Sequence, residues 1–192
     1  MQAEVSRPRL KVVLASRSPQ RRELLERLRV LFEVAVPEVE EVGEGDPADA
    51  VLENARRKAS VVGAPDALVI GCDTDVVVDD HALGKPADED VARSFIEQLS
   101  GRSHEVLSGL VLLGPEPDRT REGVARSVVS FRSLGREEID RYVATGEWRH
   151  RAGGYAIQGL GSTLVERVEG DLSNVIGLPL GLLLELAPEL GT

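Results

Sequence analysis

The stretch LKVVLASRSPQRRE, residues 10–23, contains the pattern that decides the fold. Its apolar half, residues 10–15, predicts a short buried strand. Ser18 and Pro19 fit the N-cap and the first position of a helix, because a serine oxygen caps free backbone N–H groups and proline has none to leave unpaired. The chain therefore begins its folded part with a strand that leads directly into a helix.

The same alternation of strands and helices continues along the chain. Further strands are predicted at residues 30–36, 67–78, 105–113, 124–131 and 163–168, and helices at 50–62, 88–99, 137–144 and 179–190. A loop with Gly114, Pro115 and Pro117 joins two of these strands into a hairpin. This order predicts an α/β fold with a mixed, twisted sheet flanked by helices.

The hairpin also suggests how the chain divides. We expect one domain, residues 1–192, with one lobe of about residues 10–100 together with the C-terminal helix and a second lobe of about residues 101–170. A cleft between the lobes is the expected place for an active site.

Composition excludes several classes of protein. The 192 residues include 42% hydrophobic and 29% charged residues, which suits a folded core. A formal net charge of −10 repels nucleic-acid polymers, and only 3% aromatic residues leaves few rings for stacking on bases. No run reaches the ~20 apolar residues of a membrane span, and residues 1–9 lack the apolar core of a secretion signal. We expect a cytoplasmic protein with neither membrane nor nucleic-acid partners.

Cysteine and histidine offer no metal centre. The single cysteine, Cys72, excludes an internal disulfide and a multi-cysteine zinc site, which favours a reducing compartment. His81, His104 and His150 lack the spacing of zinc ligands.

The start of the first helix is unusually basic. Its first turn carries Arg21 and Arg22, although the positive end of a helix dipole disfavours each cation by about 0.3–1 kcal/mol. Free backbone N–H groups and two guanidinium groups would form a site for a small anion such as phosphate. The alternative is a pair of solvated surface arginines, partly offset by Glu23.

A second candidate is the stretch GCDTD, residues 71–75, which follows an apolar run. It lies where α/β sheets place ligands, and the period of two puts Asp73 and Asp75 on one face of the strand. A carboxylate there would hold Mg²⁺ or accept a proton from water. The alternative is a pair of ordinary aspartates near a strand end.

Weaker signals surround these two. Only three lysines occur in this arginine-rich chain, and Lys58 and Lys85 are interpreted either as sites that need a compact ammonium or as chance. The acidic loop at residues 38–41 would supply a metal ligand or would simply be solvated. The glycine-rich stretch 153–161 would let the backbone approach a ligand closely.

Seven motifs follow one another along the chain. They are LAS-x-SP-x-R (14–21) followed by ELL (23–25), A-x-x-KA (55–59), G-x-DT-x-V (71–76), GKP (84–86), LSG-x-x-H-x-V (99–106), AG-x-Y-x-IQG (152–159) and V-x-GLPL (175–180). In this order, over residues 10–190, they resemble the Maf family of nucleoside triphosphate pyrophosphatases. The resemblance implies an inosine-triphosphatase-like fold, a divalent cation (Mg²⁺ or Mn²⁺) and often a homodimer. It also implies hydrolysis between the α- and β-phosphates to give a monophosphate and pyrophosphate.

The resemblance also assigns roles by position. It implies that Asp73 is the general base and that Glu41 and Asp73 bind the metal. The residues implied to bind the phosphates are Ser16, Arg21, Lys58 and Lys85, and those implied to select the base are Gln20, Thr74 and Gln158.

Some positions depart from the family pattern. Members that prefer dTTP and UTP resemble this chain at Thr74 and Gln158 but usually carry arginine at position 20, where this chain has Gln20. We expect a pyrimidine preference and a role in clearing non-canonical nucleotides. Asp75 replaces a usually uncharged residue and would compete with Asp73 for the metal.

The alternative function is a non-catalytic nucleotide-binding regulator of cell division and septum formation, which would bind triphosphate without turnover.

Overall fold

The strand and helix predicted at the start of the fold are both present in the computed structural model, which describes residues 10–43, 45–115 and 120–191. Strand β1 (Val12–Ala15) is buried along its whole length. Helix α1 (Pro19–Arg27) has Ser18 as its N-cap, and the serine oxygen accepts a hydrogen bond from the backbone N–H of Arg21 at 3.4 Å. The expected starting point of this helix is therefore confirmed.

The other elements follow the predicted order with small shifts at their ends. The remaining strands are β2 (Phe32–Ala35), β3 (Leu68–Val78), β4 (His81–Ala82), β5 (Ser103–Leu113), β6 (Thr120–Phe131) and β7 (Val165–Glu169). The remaining helices are α2 (Pro47–Val62), α3 (Glu89–Leu99), α4 (Arg136–Ala144), α5 (Leu172–Ile176) and α6 (Leu180–Leu186). Short 3₁₀ turns occupy Ala152–Gly154, Leu160–Leu164 and Pro188–Leu190.

The strands of the described ranges form one seven-stranded mixed sheet in the order β2-β1-β3-β5-β6-β7, with β4 paired to β3. Strand β1 pairs in parallel with β2 and β3, whereas β5, β6 and β7 continue the sheet by antiparallel pairing. The predicted α/β class with a mixed sheet and the predicted hairpin are confirmed. The boundary between the two lobes stays a prediction.

The C-terminal helix is shorter than predicted. Helix α6 ends at Leu186, and Ala187 leaves the helical region with φ −135° and ψ 71° before a separate 3₁₀ turn. The cause is Pro188, because a proline ring disfavours helical backbone at the preceding residue.

Residues 1–9 and Pro117, which entered the sequence predictions, lie outside the described residues. No helix within the described ranges has both the length and the apolar character needed to cross a membrane.

Helix α2 lies unusually close to the sheet. A Cβ atom added at Gly71 on β3 would lie 2.3 Å from the carbonyl oxygen of Ala55, and one added at Gly109 on β5 would lie 2.3 Å from that of Val51. The helix backbone therefore touches the sheet at two glycines, one turn apart on the helix. On the other face of the sheet, apolar side chains of α1 and α6 pack on β1, β3 and β5.

Another apolar cluster joins α3, α4 and the hairpin of β5 and β6. Within it, His104 is 2% exposed, and its Nε2 atom lies 2.8 Å from the hydroxyl of Tyr155. The imidazole also packs edge-on against Phe131, with ring centroids 5.1 Å apart. Burial lowers the pKa of His104 from 6.5 to about 4. This histidine is therefore a neutral part of the core at neutral pH.

We expect Gly109→Ala to lower the free energy of unfolding by about 1–3 kcal/mol, because the new methyl group would overlap the α2 backbone and force the helix away from the sheet. Urea unfolding measures the change. Gly43→Ala is the matched control, since a Cβ at Gly43 meets no atom within 4 Å, and its effect should stay within about 0.5 kcal/mol. Equal midpoints for the two variants would contradict the close packing.

The buried His104 also predicts acid sensitivity. Its pKa of about 4 in the folded state lies below the ordinary 6.5 of the unfolded chain, so between these values the unfolded state binds the proton and the folded state does not. Stability therefore falls as the pH is lowered from 7 to 5, by roughly 2 kcal/mol from this group.

His104→Phe keeps an aromatic ring and removes the titration. We expect the difference in unfolding free energy between wild type and this variant to shrink from pH 7 to pH 5, measured by urea titration at each pH. A difference that does not change with pH would show that His104 is not the group responsible.

Candidate active site

A cavity of about 720 Å³ opens where β1 ends. Strand β1 stops at Ala15, opposite Gly71, whereas β3 continues to Val78. The loop after β1 therefore turns in front of the part of β3 that extends beyond β1, at the carboxyl end of a parallel strand pair. All nine side chains assigned roles in the sequence analysis line this cavity, although their roles stay predictions: Ser16, Gln20, Arg21, Glu41, Lys58, Asp73, Thr74, Lys85 and Gln158.

The floor of the cavity is a chain of alternating charges. The Nζ atom of Lys58 lies 2.6 Å from Oδ1 of Asp73 and 2.6 Å from Oε1 of Glu41. The Nζ atom of Lys85 lies 3.5 Å from Oε2 of Glu41. Lys58 and Asp73 are 7% and 8% exposed, so this buried pair would be costly if either charge were removed. The two carboxylates and two ammonium groups compensate one another.

Asn54 is buried next to this floor, and no motif in the sequence marks it as a site residue. Its Nδ2 donates to Oδ2 of Asp73 at 3.0 Å and to the carbonyl of Val42 at 2.9 Å, and its Oδ1 accepts from the backbone N–H of Val42 at 2.7 Å. Asn54 therefore ties the acidic loop to the aspartate. The available signal was its spacing of four residues from Lys58, which places both on one face of α2.

The charges around Glu41 decide its ionisation. Burial opposes the charged form, but the ammonium groups of Lys58 and Lys85 outweigh it and lower the pKa of Glu41. Glu41 is therefore a carboxylate at neutral pH and is available as a hard oxygen ligand.

Asp75 does not line the cavity. Its Oδ1 accepts hydrogen bonds from the backbone N–H groups of Val76 at 2.8 Å and Gly84 at 3.0 Å. Burial raises the pKa of Asp75 to about 6, against the effect of those two donors. The structure gives this residue a role in shaping the turn before Lys85, rather than the place beside the metal considered above.

Arg21 organises the opposite wall. Its Nε donates to the carbonyl of Gly177 at 2.8 Å, Nη1 to Oγ of Ser16 at 3.4 Å, and Nη2 to Oγ1 of Thr74 at 3.2 Å. Three of its five N–H groups are thus committed to the protein, and two are left for a phosphate. Thr74 is further held by Ser108, with the two hydroxyl oxygens 2.8 Å apart.

Arg22, which was predicted to join Arg21 in the anion site, does not line the cavity. Arg22 is 64% exposed at its side chain and forms an ion pair with Glu26 at 2.9 Å, four residues along α1, so the alternative of a solvated arginine holds for this residue. Three other arginines line the cavity. Arg149 forms an ion pair with Glu89 at 3.7 Å, which leaves Arg17 and Arg151. Within the described part of the chain, neither of these has a hydrogen-bond or ion-pair partner for its guanidinium group. They are the uncommitted positive charges of the site.

The glycine-rich stretch packs closely against β3 and the loop after β4. Gly153 has φ +65°, its N–H donates to the carbonyl of Gly84 at 2.9 Å, and a Cβ there would lie 2.8 Å from the side chain of Val76. Residues 155–158, which follow this contact, line the cavity, and the side chain of Gln158 is exposed there.

The residues present fit a divalent cation. No group of three or more histidine, cysteine, aspartate or glutamate side chains able to hold a metal occurs in the described ranges. Glu41 and Asp73 nevertheless present two carboxylates to one cavity, separated by a single ammonium group. Mg²⁺ and Mn²⁺ in phosphate-handling sites take one or two carboxylates and complete their shell with substrate phosphates and water, so this donor set is sufficient.

The chain is similar to known proteins over nearly its whole length. A protein of Deinococcus radiodurans named dTTP/UTP pyrophosphatase is 47% identical over 179 residues, covering 92% of this chain and 91% of that protein. One of the same name from Dictyoglomus thermophilum is 44% identical over 185 residues, covering 94% and 96%.

Solved structures are more distant. A HAM1 protein from Coxiella burnetii aligns with 81% of this chain and 91% of its own, at 18% identity and a TM-score of 0.48. The Ham1 protein of Staphylococcus aureus aligns with 63% and 71%, at 15% identity and a TM-score of 0.46. The fold is therefore assigned from the order and pairing of the strands themselves.

The motifs noted in the sequence recur in one family model, described as Maf-like protein, which matches residues 11–190. Because that match and the relatives above span more than nine tenths of the chain, the protein belongs to the Maf family.

Proposed function

We propose that this protein hydrolyses nucleoside triphosphates between the α- and β-phosphates, with a preference for dTTP and UTP. The observation that carries the proposal is the buried Lys58, which joins Asp73 and Glu41 at 2.6 Å each in a cavity that also holds Lys85. These contacts supply a fixed proton acceptor, and Arg17, Arg21 and Arg151 in the same cavity supply the positive charge that a polyanion requires. The relatives named dTTP/UTP pyrophosphatase support the substrate class.

Asp73 is the proposed proton acceptor. Lys58 and Asn54 each donate to one of its carboxylate oxygens, which fixes the orientation of the group and leaves a lone pair on each oxygen. The oxygen of a water molecule bonds to the α-phosphorus while its proton passes to Asp73. The bond from the α-phosphorus to the bridging oxygen breaks, and its electron pair leaves with pyrophosphate.

The cations of the cavity stabilise that leaving group. Lys58 and Lys85 lie on the floor, but Glu41 and Asp73 already compensate their charges. The additional negative charge of a triphosphate therefore has to be offset by Arg17, Arg21, Arg151 and a divalent cation. When bound, Mg²⁺ or Mn²⁺ held by the two carboxylates would neutralise phosphate charge.

Base selection is proposed for Gln20, Thr74 and Gln158. The Oε1 atom of Gln20 accepts the hydroxyl hydrogen of Ser18 at 3.1 Å, because that hydroxyl oxygen is itself the acceptor for the backbone N–H of Arg21. The amide NH₂ of Gln20 is therefore the side left to face a base. A donor suits the carbonyl oxygens of uracil and thymine and opposes the amino group of cytosine.

No feature of the described residues favours the non-catalytic regulator, since Asp73, Lys58 and Lys85 are all in place. We further propose that the protein acts in the cytoplasm and clears non-canonical nucleotides. Assembly as a homodimer also stays a prediction.

The first test is Asp73→Asn. We expect kcat to fall at least about 100-fold, because a general base contributes roughly 10²–10⁴ to the rate, while triphosphate binding is kept. Release of pyrophosphate and monophosphate from UTP and dTTP with Mg²⁺ or Mn²⁺ measures the change.

Asp75→Asn is the matched control, since the asparagine oxygen can accept the same backbone N–H groups of Val76 and Gly84. It should keep most of the wild-type rate. An equal loss in both variants would place Asp75 in the site, and a wild-type rate in Asp73→Asn would refute the base assignment.

A substrate panel tests base selection. We expect UTP and dTTP to rank above CTP, GTP and ATP in kcat/KM. Gln20→Glu, which replaces the NH₂ donor with an acceptor, should lower kcat/KM for UTP about tenfold, the equivalent of one lost hydrogen bond of about 1.4 kcal/mol. A purine at the top of the ranking, or an unchanged UTP rate in the variant, would overturn this assignment.

A further inference from the structure

Glu147 holds the backbone of the segment that carries Gln158. Its Oε1 accepts the backbone N–H of Leu160 at 2.9 Å, and its Oε2 accepts that of Gly161 at 2.8 Å. Hydrogen bonds to a charged carboxylate are among the stronger ones in proteins. The fit is tight as well, since a Cβ at Gly159 would lie 1.8 Å from Oε1 of Glu147. Only glycine at this position lets the carboxylate reach both donors.

The other end of the segment is held from helix α4. The hydroxyl of Tyr142 accepts the backbone N–H of Ala156 at 3.2 Å. Glu147 is itself fixed, because its backbone N–H donates to Oγ1 of Thr145 at 3.1 Å. Residues 157–158 therefore lie between two backbone anchors that belong to the same helix and the turn after it.

These anchors matter because the Gln158 side chain has no support of its own. Gln158 is exposed and lines the cavity, and within the described residues its amide forms no hydrogen bond with the protein. Its direction is consequently set by its backbone. Glu147 does not line the cavity, so any influence it has on a bound nucleotide passes through the segment it holds.

We propose that Glu147 is a positioning residue for base selection, which acts by fixing the backbone that presents the Gln158 amide to the nucleobase. The inference rests on the proposed function, since it requires a nucleotide in the cavity. It predicts that Glu147 and Gln158 are coupled in base preference and not merely in stability.

A double-mutant cycle tests the coupling. Glu147→Ala, Gln158→Ala and the double variant are compared for the ratio of Kd values for the α,β-methylene analogues of UTP and GTP, and for the ratio of kcat/KM values for UTP and GTP. We expect each single variant to lose about tenfold of the preference for the uracil nucleotide. The double variant should lose no more than Gln158→Ala alone. Losses that multiply in the double variant would overturn the proposal, because the two residues would then act independently.

Glu138→Ala is the matched control. Glu138 lies on α4, the helix that precedes Glu147, and its Oε2 accepts the backbone N–H of Gly135 at 3.0 Å, but it does not line the cavity. Its loss should lower the unfolding free energy and leave base preference unchanged. A loss of preference equal to that of Glu147→Ala would show general loosening of the fold and would refute the positioning role.

Glu147→Gln covers the case in which the alanine variant does not fold. It keeps the shape and one acceptor oxygen, but turns an NH₂ group toward a backbone N–H, so base preference should fall by less than tenfold. An unchanged preference in a folded Glu147→Gln variant, with unchanged coupling to Gln158→Ala, would refute the proposal.

The binding readout separates this inference from the proposed function. A wild-type protein that binds the uracil analogue preferentially but hydrolyses no triphosphate would refute the proposed function, and the cycle in Kd would still support or refute the role of Glu147. If the protein hydrolyses UTP but the effects of Glu147→Ala and Gln158→Ala on base preference multiply in the double variant, the proposed function stands. Only the positioning role of Glu147 is then refuted.

Discussion

The contact on which the site depends is the one between the backbone of α2 and two glycines of the sheet. Gly71 and Gly109 have no side chains to hold the helix off, so the carbonyls of Ala55 and Val51 lie almost on the strands. At that separation a side chain of α2 can reach the neighbouring residues of β3. Lys58 and Asn54 consequently contact the same aspartate, two residues beyond Gly71.

The charge-neutral floor follows from that contact. A lysine and an aspartate this deeply buried are stable only as partners, and the acidic loop adds Glu41 as a second partner to the same ammonium group. The floor gives a triphosphate a fixed polar surface without a net positive charge. Arg17 and Arg151, whose guanidinium groups have no partner among the described residues, stand on loops that line the cavity. An overall acidic protein therefore confines its attraction for phosphate to the cavity.

Much of this arrangement could be predicted because its signals are local. Ser18 and Pro19 marked the start of α1 correctly. Asp46 and Pro47 are the same signal for α2, which begins at Pro47, three residues before the predicted start at residue 50. Asn54 was missed because its role depends on which helix face meets β3. Arg22 was misplaced for the same reason, since a guanidinium at a helix start faces either solvent or ligand according to how the helix packs. Strand β4 and helix α5 are too short to have a pattern, and tertiary hydrogen bonds hold them.

The carbonyl of Gly177 has a consequence for biosynthesis. It accepts hydrogen bonds from Arg21 and Thr74 and contacts the thiol of Cys72 at 3.4 Å, so one late peptide group fixes the geometry of residues synthesised 156 and 103 positions earlier. While the chain is still being made on the ribosome, the wall that holds Ser16 and Thr74 lacks this acceptor. The cavity therefore reaches its final shape only after residue 177 has been made, and a chain that stops before this residue does not have the complete site.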